Sequence, residues 1–263
     1  MGFEGLLGNE RLKENLRRSI RRGHISHFYL ICGPEGAGKH TLSSLLSAAI
    51  LCKGEDVPCG KCPACRKVLS GNHPDVITVT DPEHKNVAVK IVRQMRDDMF
   101  IRPNEADKKI YIFPQEMGTE GQNALLKVLE EPPSYGVFLL LSDNPEKLLP
   151  TIRSRSTELA LGALPEQVLR KALSQKFPQA DASQLNGAIA RSGGYLGQAQ
   201  ALLESGTAIN PQAEEFGRCF AAQDTIGLLQ LLVPMEKWKR DQLLPVLSRW
   251  ENVLQSALIC RCG

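Results

Sequence analysis

Hydrophobic positions in the first 162 residues alternate between short, solid apolar runs and stretches spaced at three or four. Phe28-Tyr29-Leu30-Ile31, Ile110–Phe113 and Val137–Leu141 are nearly unbroken apolar runs, the pattern of strands buried on both faces. Asp75–Val79 and Thr157–Leu161 read as two further strands. Between them lie helical stretches: Asn9 to Arg22, Lys39 to about Leu51, Ala88 to Phe100 and Gly121 to Glu131. In the third of these Val89, Val92, Met95 and Met99 fall on one face, and Pro132-Pro133 stops the fourth. Strand and helix in turn predict an α/β domain with a parallel sheet over residues 1–162. After Pro165 the strands stop. Residues 165–176, 181–192 and 195–204 read as three short helices, broken at Phe177-Pro178 and Gly193-Gly194, and predict a small helical domain over 163–205. Gly206 to Pro211 reads as a linker. Residues 206–263 read as helical, too few for an independent core, so they are expected to lean on a neighbour or to be an incomplete part of a larger helical domain. Their apolar stripes (Leu228, Leu229, Leu231, Leu232, then Leu243, Leu244, Leu247) fit a core or a subunit interface equally.

Composition adds bounds and little else. With 42% hydrophobic and 23% charged residues in 263, the chain is an ordinary globular one. A net charge of +3 does not by itself argue for nucleic acid. The sequence holds no apolar run near the roughly 20 residues needed to cross a bilayer. Its start, Met1-Gly2-Phe3-Glu4-Gly5-Leu6, lacks the basic-then-apolar pattern of a signal peptide. The expectation is a cytoplasmic protein with no membrane partner, whose eight cysteines are reduced.

Candidate chemistry begins directly after the first apolar run. Gly33-Pro34-Glu35-Gly36-Ala37-Gly38-Lys39 is the G-x-x-x-x-G-K core of a phosphate-binding loop, set between a strand and a helix. Backbone N–H groups and a helix N-terminus converge on an anion in such a loop, and the lysine adds a point charge. The next position calls for a Ser or Thr hydroxyl on magnesium, and it holds His40, with Thr41 one residue too late. Hydrolysis also needs an acid at a strand end to hold the metal's water shell. After Lys109–Phe113 come Pro114, Gln115 and Glu116, and Glu116 reads more simply as a surface or helix-capping carboxylate. Binding of ATP or ADP stays open, because the anion-binding parts of the loop (Gly33, Gly36, Gly38, Lys39) are intact.

A second signal follows the helix after the loop. Cys52, Cys59, Cys62 and Cys65 are spaced C-x6-C-x2-C-x2-C with Pro58, Gly60 and Pro63 between them. Thiolates packed around tight turns suit a closed, tetrahedral, structural Zn2+ site with no open position for catalysis. The alternative is four unpaired thiols, or disulfides formed in the wrong compartment. Cys32, Cys219, Cys260 and Cys262 have no such spacing.

Two longer segments carry a family resemblance: Gln122-Asn123-Ala124-Leu125-Leu126-Lys127-Val128-Leu129-Glu130-Glu131-Pro132-Pro133, and Asn144-Pro145-Glu146-Lys147-Leu148-Leu149-Pro150-Thr151-Ile152-Arg153-Ser154-Arg155-Ser156. With the cysteine insert at 52–65 they resemble bacterial DNA polymerase III clamp-loader subunits, over about residues 5 to 205. The resemblance implies the AAA+ fold: a nucleotide-binding-like domain, a helical lid, and a helical collar that assembles a five-subunit ring. That ring opens the sliding β clamp and loads it on primed DNA during replication.

Within the family, gamma/tau-type subunits are the ATPase motor and delta-prime-type subunits are stators. His40, the Phe113-Pro114-Gln115 stretch, and Gly193-Gly194-Tyr195-Leu196-Gly197-Gln198-Ala199, which lacks the motor's nucleotide-sensing arginine, all point to delta-prime. The implied partners are the gamma/tau and delta subunits. The family's Ser-Arg-Cys motif here reads Ser154-Arg155-Ser156, which makes Arg155 the candidate arginine finger for a neighbour's ATP, with Arg153 as a weaker candidate. An ordinary surface arginine is the alternative. Two other readings remain: a divergent gamma/tau-type ATPase using His40 or Thr41 with Glu116, and a zinc-carrying replication or repair module outside the ring. Arg17, Arg18, Arg21 and Arg22 form a basic helical strip that suits phosphates or, more commonly, solvent.

Overall fold

The computed structural model describes residues 2–204, 211–238, 242–243, 246–247, 250 and 254. Leu244, Cys260, Cys262 and most of the expected linker lie outside them. Among the described residues no helix is long and apolar enough to cross a membrane.

The chain divides into two compact units, one running to Leu169 and including Gly194–Gln198, the other comprising Arg170–Gly193 and the described residues from Ala199 on. The first unit is a five-stranded parallel sheet, β1 (Phe28–Cys32), β2 (Val76–Thr78), β3 (Lys109–Phe113), β4 (Gly136–Ser142) and β5 (Thr157–Ala160), in the order β2-β3-β4-β1-β5. Its helices are α1 (Glu10–Arg21), α2 (Lys39–Ile50), α3 (Pro63–Leu69), α4 (Val89–Met99), α5 (Thr119–Glu130) and the single turn α6 (Pro150–Arg153). This is the α/β arrangement with a parallel sheet that the sequence pattern predicts. Every residue of β1, β3 and β4 is buried.

Alternation along each strand sends neighbouring side chains to opposite faces. Tyr29, Ile31, Ile110, Ile112, Leu139 and Leu141 pack with Leu16 of α1, with Leu42 and Leu46 of α2, and with the cysteine insert. Phe28, Leu30, Tyr111, Phe113, Phe138 and Leu140 pack with Val92, Met95 and Met99 of α4 and with Leu125, Val128 and Leu129 of α5. Two elements were not predicted. The insert contains α3, begun by Cys62 as N-cap and Pro63 in the first turn, and α6 precedes β5.

The second unit is helical. It holds most of α7 (Glu166–Lys176), all of α8 (Ala182–Arg191) and most of α9 (Leu196–Glu204), then α10 (Pro211–Ala221) and α11 (Thr225–Leu232). Asp181 and Gln184 form a reciprocal capping box at the start of α8. Arg170 donates to Asn186 at 2.6 Å and Lys176 to Gln200 at 2.8 Å, tying α7 to both other helices. Phe216 stacks on Trp250 at 4.2 Å between ring centroids.

Candidate functional site

Because all strands are parallel and β1 lies between β4 and β5, the loops after β1, β3 and β4 emerge on one edge of the sheet. In open α/β sheets ligands bind outside this carboxyl edge. The phosphate loop follows β1, and Gly38, at φ +96°, is the N-cap of α2. Lys39, with a side chain only 10% exposed, donates from Nζ to Gly33 O at 2.7 Å and Pro34 O at 2.9 Å, and pairs with Asp143 Oδ1 at 2.5 Å just after β4. An ammonium has three protons, and each has an acceptor here. His40 and Thr41 are exposed on the first turn of α2. The turn before and into α9 lies against the loop: Gly197 N donates to Gly36 O at 3.0 Å, and Gln198 Nε2 to Glu35 O at 3.0 Å.

The residues after β3 are committed elsewhere. Gln115 uses its whole amide on the loop that leads into α4, with Oε1 accepting from Asp81 N at 2.7 Å and Nε2 donating to Asp81 O at 3.0 Å and His84 O at 3.3 Å. Glu116 accepts from Lys147 Nζ at 2.9 Å, which raises the lysine pKa. A carboxylate so paired is a poor holder of a metal's water shell.

The four cysteines of the insert converge. Their sulfurs all lie within 4.8 Å of one another, and Cys59 Sγ and Cys65 Sγ are 4.0 Å apart. A tetrahedral zinc with Zn–S bonds of about 2.3 Å sets S–S edges of about 3.8 Å, so the set fits the ion after a small contraction. Backbone N–H groups already point at the sulfurs: Gly54 and Cys59 at Cys52 (3.3 and 3.4 Å), Cys62 at Cys59 (3.3 Å) and Cys65 at Cys62 (3.4 Å). The turn between Cys59 and Cys62 needs Gly60, whose φ is +69°. The N–H groups of Cys62 and Lys61 lower the Cys59 thiol to about 6, whereas burial raises Cys65 and Cys52. Donors that stabilise thiolate on one member, and a buried cluster that otherwise holds protons, are what a metal would exploit by displacing those protons.

Arg155 lies between α6 and β5. It donates to Thr151 O at 3.1 Å and reaches Glu130 Oε1 at 3.5 Å, with its side chain 39% exposed. The turn itself is closed by Arg155 N on Ile152 O and Ser156 N on Arg153 O, and the segment that leads into α6 is held by Gln122, buried at the start of α5. Gln122 Nε2 donates to Met117 O at 2.9 Å and Lys147 O at 3.3 Å, while its Oε1 accepts from Leu149 N at 2.8 Å. The two signature segments of the sequence are thus joined by a buried amide as well as by the exposed Arg155–Glu130 pair.

A family model described as "DNA polymerase III, delta subunit" matches residues 8–165. The chain belongs to that family. It is also 36% identical over 188 residues to "DNA polymerase III subunit delta'" of Pseudomonas aeruginosa, covering 69% of this chain and 57% of that protein. It is 34% identical over 178 residues to "DNA polymerase III subunit gamma/tau" of Mycobacterium tuberculosis (strain ATCC 25618 / H37Rv), covering 66% of this chain. The match spans 31% of that relative's length. A solved gamma subunit-related protein from Thermotoga maritima is 21% identical, with a TM-score of 0.46 and coverage of 92% of this chain and 91% of that one.

Within this DNA polymerase III family chain, the structure brings together Gly33, Gly36, Gly38 and Lys39 in one loop and Cys52, Cys59, Cys62 and Cys65 in one cluster. It keeps Glu116 on Lys147. Two residues were missed by the sequence reading. Asp143 follows a strand with no flanking signal for ion pairing to a loop 104 positions earlier. Gln122 was read as part of a signature, and a polar residue beginning an otherwise amphipathic helix was the only hint of its burial.

Proposed function

We propose that the chain is a delta-prime-type stator of the DNA polymerase III clamp loader, which keeps the form of a nucleotide site and serves a neighbour through Arg155. The observation that carries this is the state of Lys39, saturated by two carbonyls of its own loop and by Asp143. The remaining requirements point the same way. His40 offers no hydroxyl for magnesium, Glu116 is paired with Lys147, and the lid turn from Gly193 to Ala199 holds no arginine to sense a nucleotide. The Gln122 brace supports a presenting role for the turn that carries Arg155, since an arginine finger must be held in position before a partner arrives.

The partners on this reading are gamma/tau and delta subunits, with the sliding β clamp and primed DNA reached through the complex. Residues 163–205 form the lid and 206–263 part of the collar. In α11, Ile226, Leu229 and Leu232 remain 46–70% exposed, as a collar helix awaiting a neighbour would. The cysteine cluster holds one structural zinc that fixes the insert. The divergent-ATPase reading is tested by ATP hydrolysis of the isolated chain. No turnover above background is expected. Turnover that Lys39→Ala abolishes would sink the stator reading.

A further inference from the structure

The contact between residues 194–198 and the phosphate loop is closer than side chains allow. A Cβ on Gly36 would lie 2.5 Å from Gln198 N and 2.9 Å from Gly197 C, and one on Gly197 would lie 2.5 Å from Gly36 Cα. Both positions must therefore be glycine for this backbone-on-backbone packing. Gly36 needs it a second time, because its φ is +79°. The pairing is hydrogen-bonded on both sides of the contact, Gly197 N to Gly36 O and Gln198 Nε2 to Glu35 O, each at 3.0 Å. Both partners belong to the same compact unit. At the base of the loop Lys39 meets the carboxylate of Asp143, whose side chain is 57% exposed while that of Lys39 is 10% exposed.

We infer that the phosphate loop is closed on the chain's own groups. The Asp143 carboxylate brings Lys39 the negative charge that a phosphate would bring, and the Gly36–Gly197 contact pins residues 194–198 to the loop without nucleotide. An internal carboxylate is covalently present at high effective concentration, so a free anion must displace it before reaching the lysine. The glycine pair leaves no room for a side chain between the tip of the loop and residues 197–198. A turn held in this way keeps its position at any ATP concentration. That is the property a fixed element of a nucleotide-driven assembly needs, a consequence that rests on the stator reading.

The test is amide hydrogen exchange, read residue by residue by NMR on the full chain, with Mg·ATP and inorganic pyrophosphate as probes. In the unsubstituted protein the Gly197 amide should exchange at least about tenfold more slowly than in an unstructured peptide, and neither probe should change it. In Gly197→Ala the amide at 197 should exchange at least about tenfold faster than in the parent. In the double variant Asp143→Asn with Gly197→Ala, pyrophosphate should slow exchange at residues 36–39, which it does not do in the parent. Asp143 is exposed, and the Cβ that Gly197→Ala adds forces residues 194–198 off the loop; unchanged exchange of the β1, β3 and β4 amides verifies that the sheet still folds. An unprotected Gly197 amide in the parent would overturn the inference. So would release of that amide by Mg·ATP, protection of residues 36–39 by either probe in the parent, or no gain of pyrophosphate protection in the double variant. Such a failure leaves the Arg155 reading standing, because that reading is tested by turnover in the assembled ring.

Discussion

Replacing Gln122 with alanine removes the buried side chain that joins the two signature segments. The residue is 4% exposed, and the truncation leaves Leu149 N–H, Met117 O and Lys147 O without the partner each has now. A buried donor left unsatisfied costs about 1–3 kcal/mol, and carbonyls suffer less because they have a second lone pair. With the small void added, the total comes to about 2–4 kcal/mol. For a domain of this size each kcal/mol lowers Tm by about 2–4 °C, so a fall of roughly 5–15 °C follows. The assay is urea unfolding with the m-value monitored, because an unchanged m means that stability alone has moved. Gln122→Glu is the second arm. It keeps an acceptor for Leu149 N–H but turns a second oxygen toward two carbonyls, so it should rescue little. An alanine variant within about 0.5 kcal/mol of the parent would refute the claim that this amide holds the segment before α6 in place.

Two further predictions concern the rest of the first unit. Cys65→Ser, at a position fully buried in the core, should abolish zinc binding measured by metal analysis, and should lower stability by several kcal/mol, because metal binding energy is folding energy at such sites. One zinc per chain retained in that variant would contradict the four-sulfur site. Asp75 is fully buried; burial alone would raise its pKa, but N–H groups of Asn104, Glu105 and Ala106 outweigh this and hold it lowered. With its folded pKa below the unfolded value of about 3.9, its contribution is fully present above that value and is lost as pH falls through the folded pKa. Asp75→Asn should therefore cost about 2–3 kcal/mol at pH 7, and the gap to the parent should narrow at pH 3. A gap independent of pH would refute the assignment.

The strands and long helices were legible because burial imposes period on sequence. β1, β3 and β4 are apolar runs because both sheet faces are covered, and the α4 stripe of Val92, Met95 and Met99 shows the single face it buries. The cysteine cluster was legible from spacing because tight turns bring near neighbours together. The short helices α3 and α6 were not, since four to seven residues carry too little periodicity to register. Asp143 and Gln115 were illegible for another reason: their roles depend on partners brought close only by parallel strand order. The phosphate loop had the sequence of an anion site throughout, and what fills it came from β4 and from the start of α9.

On the stator reading Arg155 acts on a neighbour's nucleotide. Arg155→Ala, assembled with gamma/tau-type and delta subunits, clamp and primed DNA, tests it most directly through ATP turnover at the adjoining site. An arginine finger contributes about 10³-fold or more to such a step, so turnover there should collapse. Thermal unfolding of the variant chain should stay within about 0.5 kcal/mol of the parent, because the Glu130 contact it loses is an exposed one. Turnover and clamp loading equal to the parent in a fully assembled ring would rule out Arg155 as the finger.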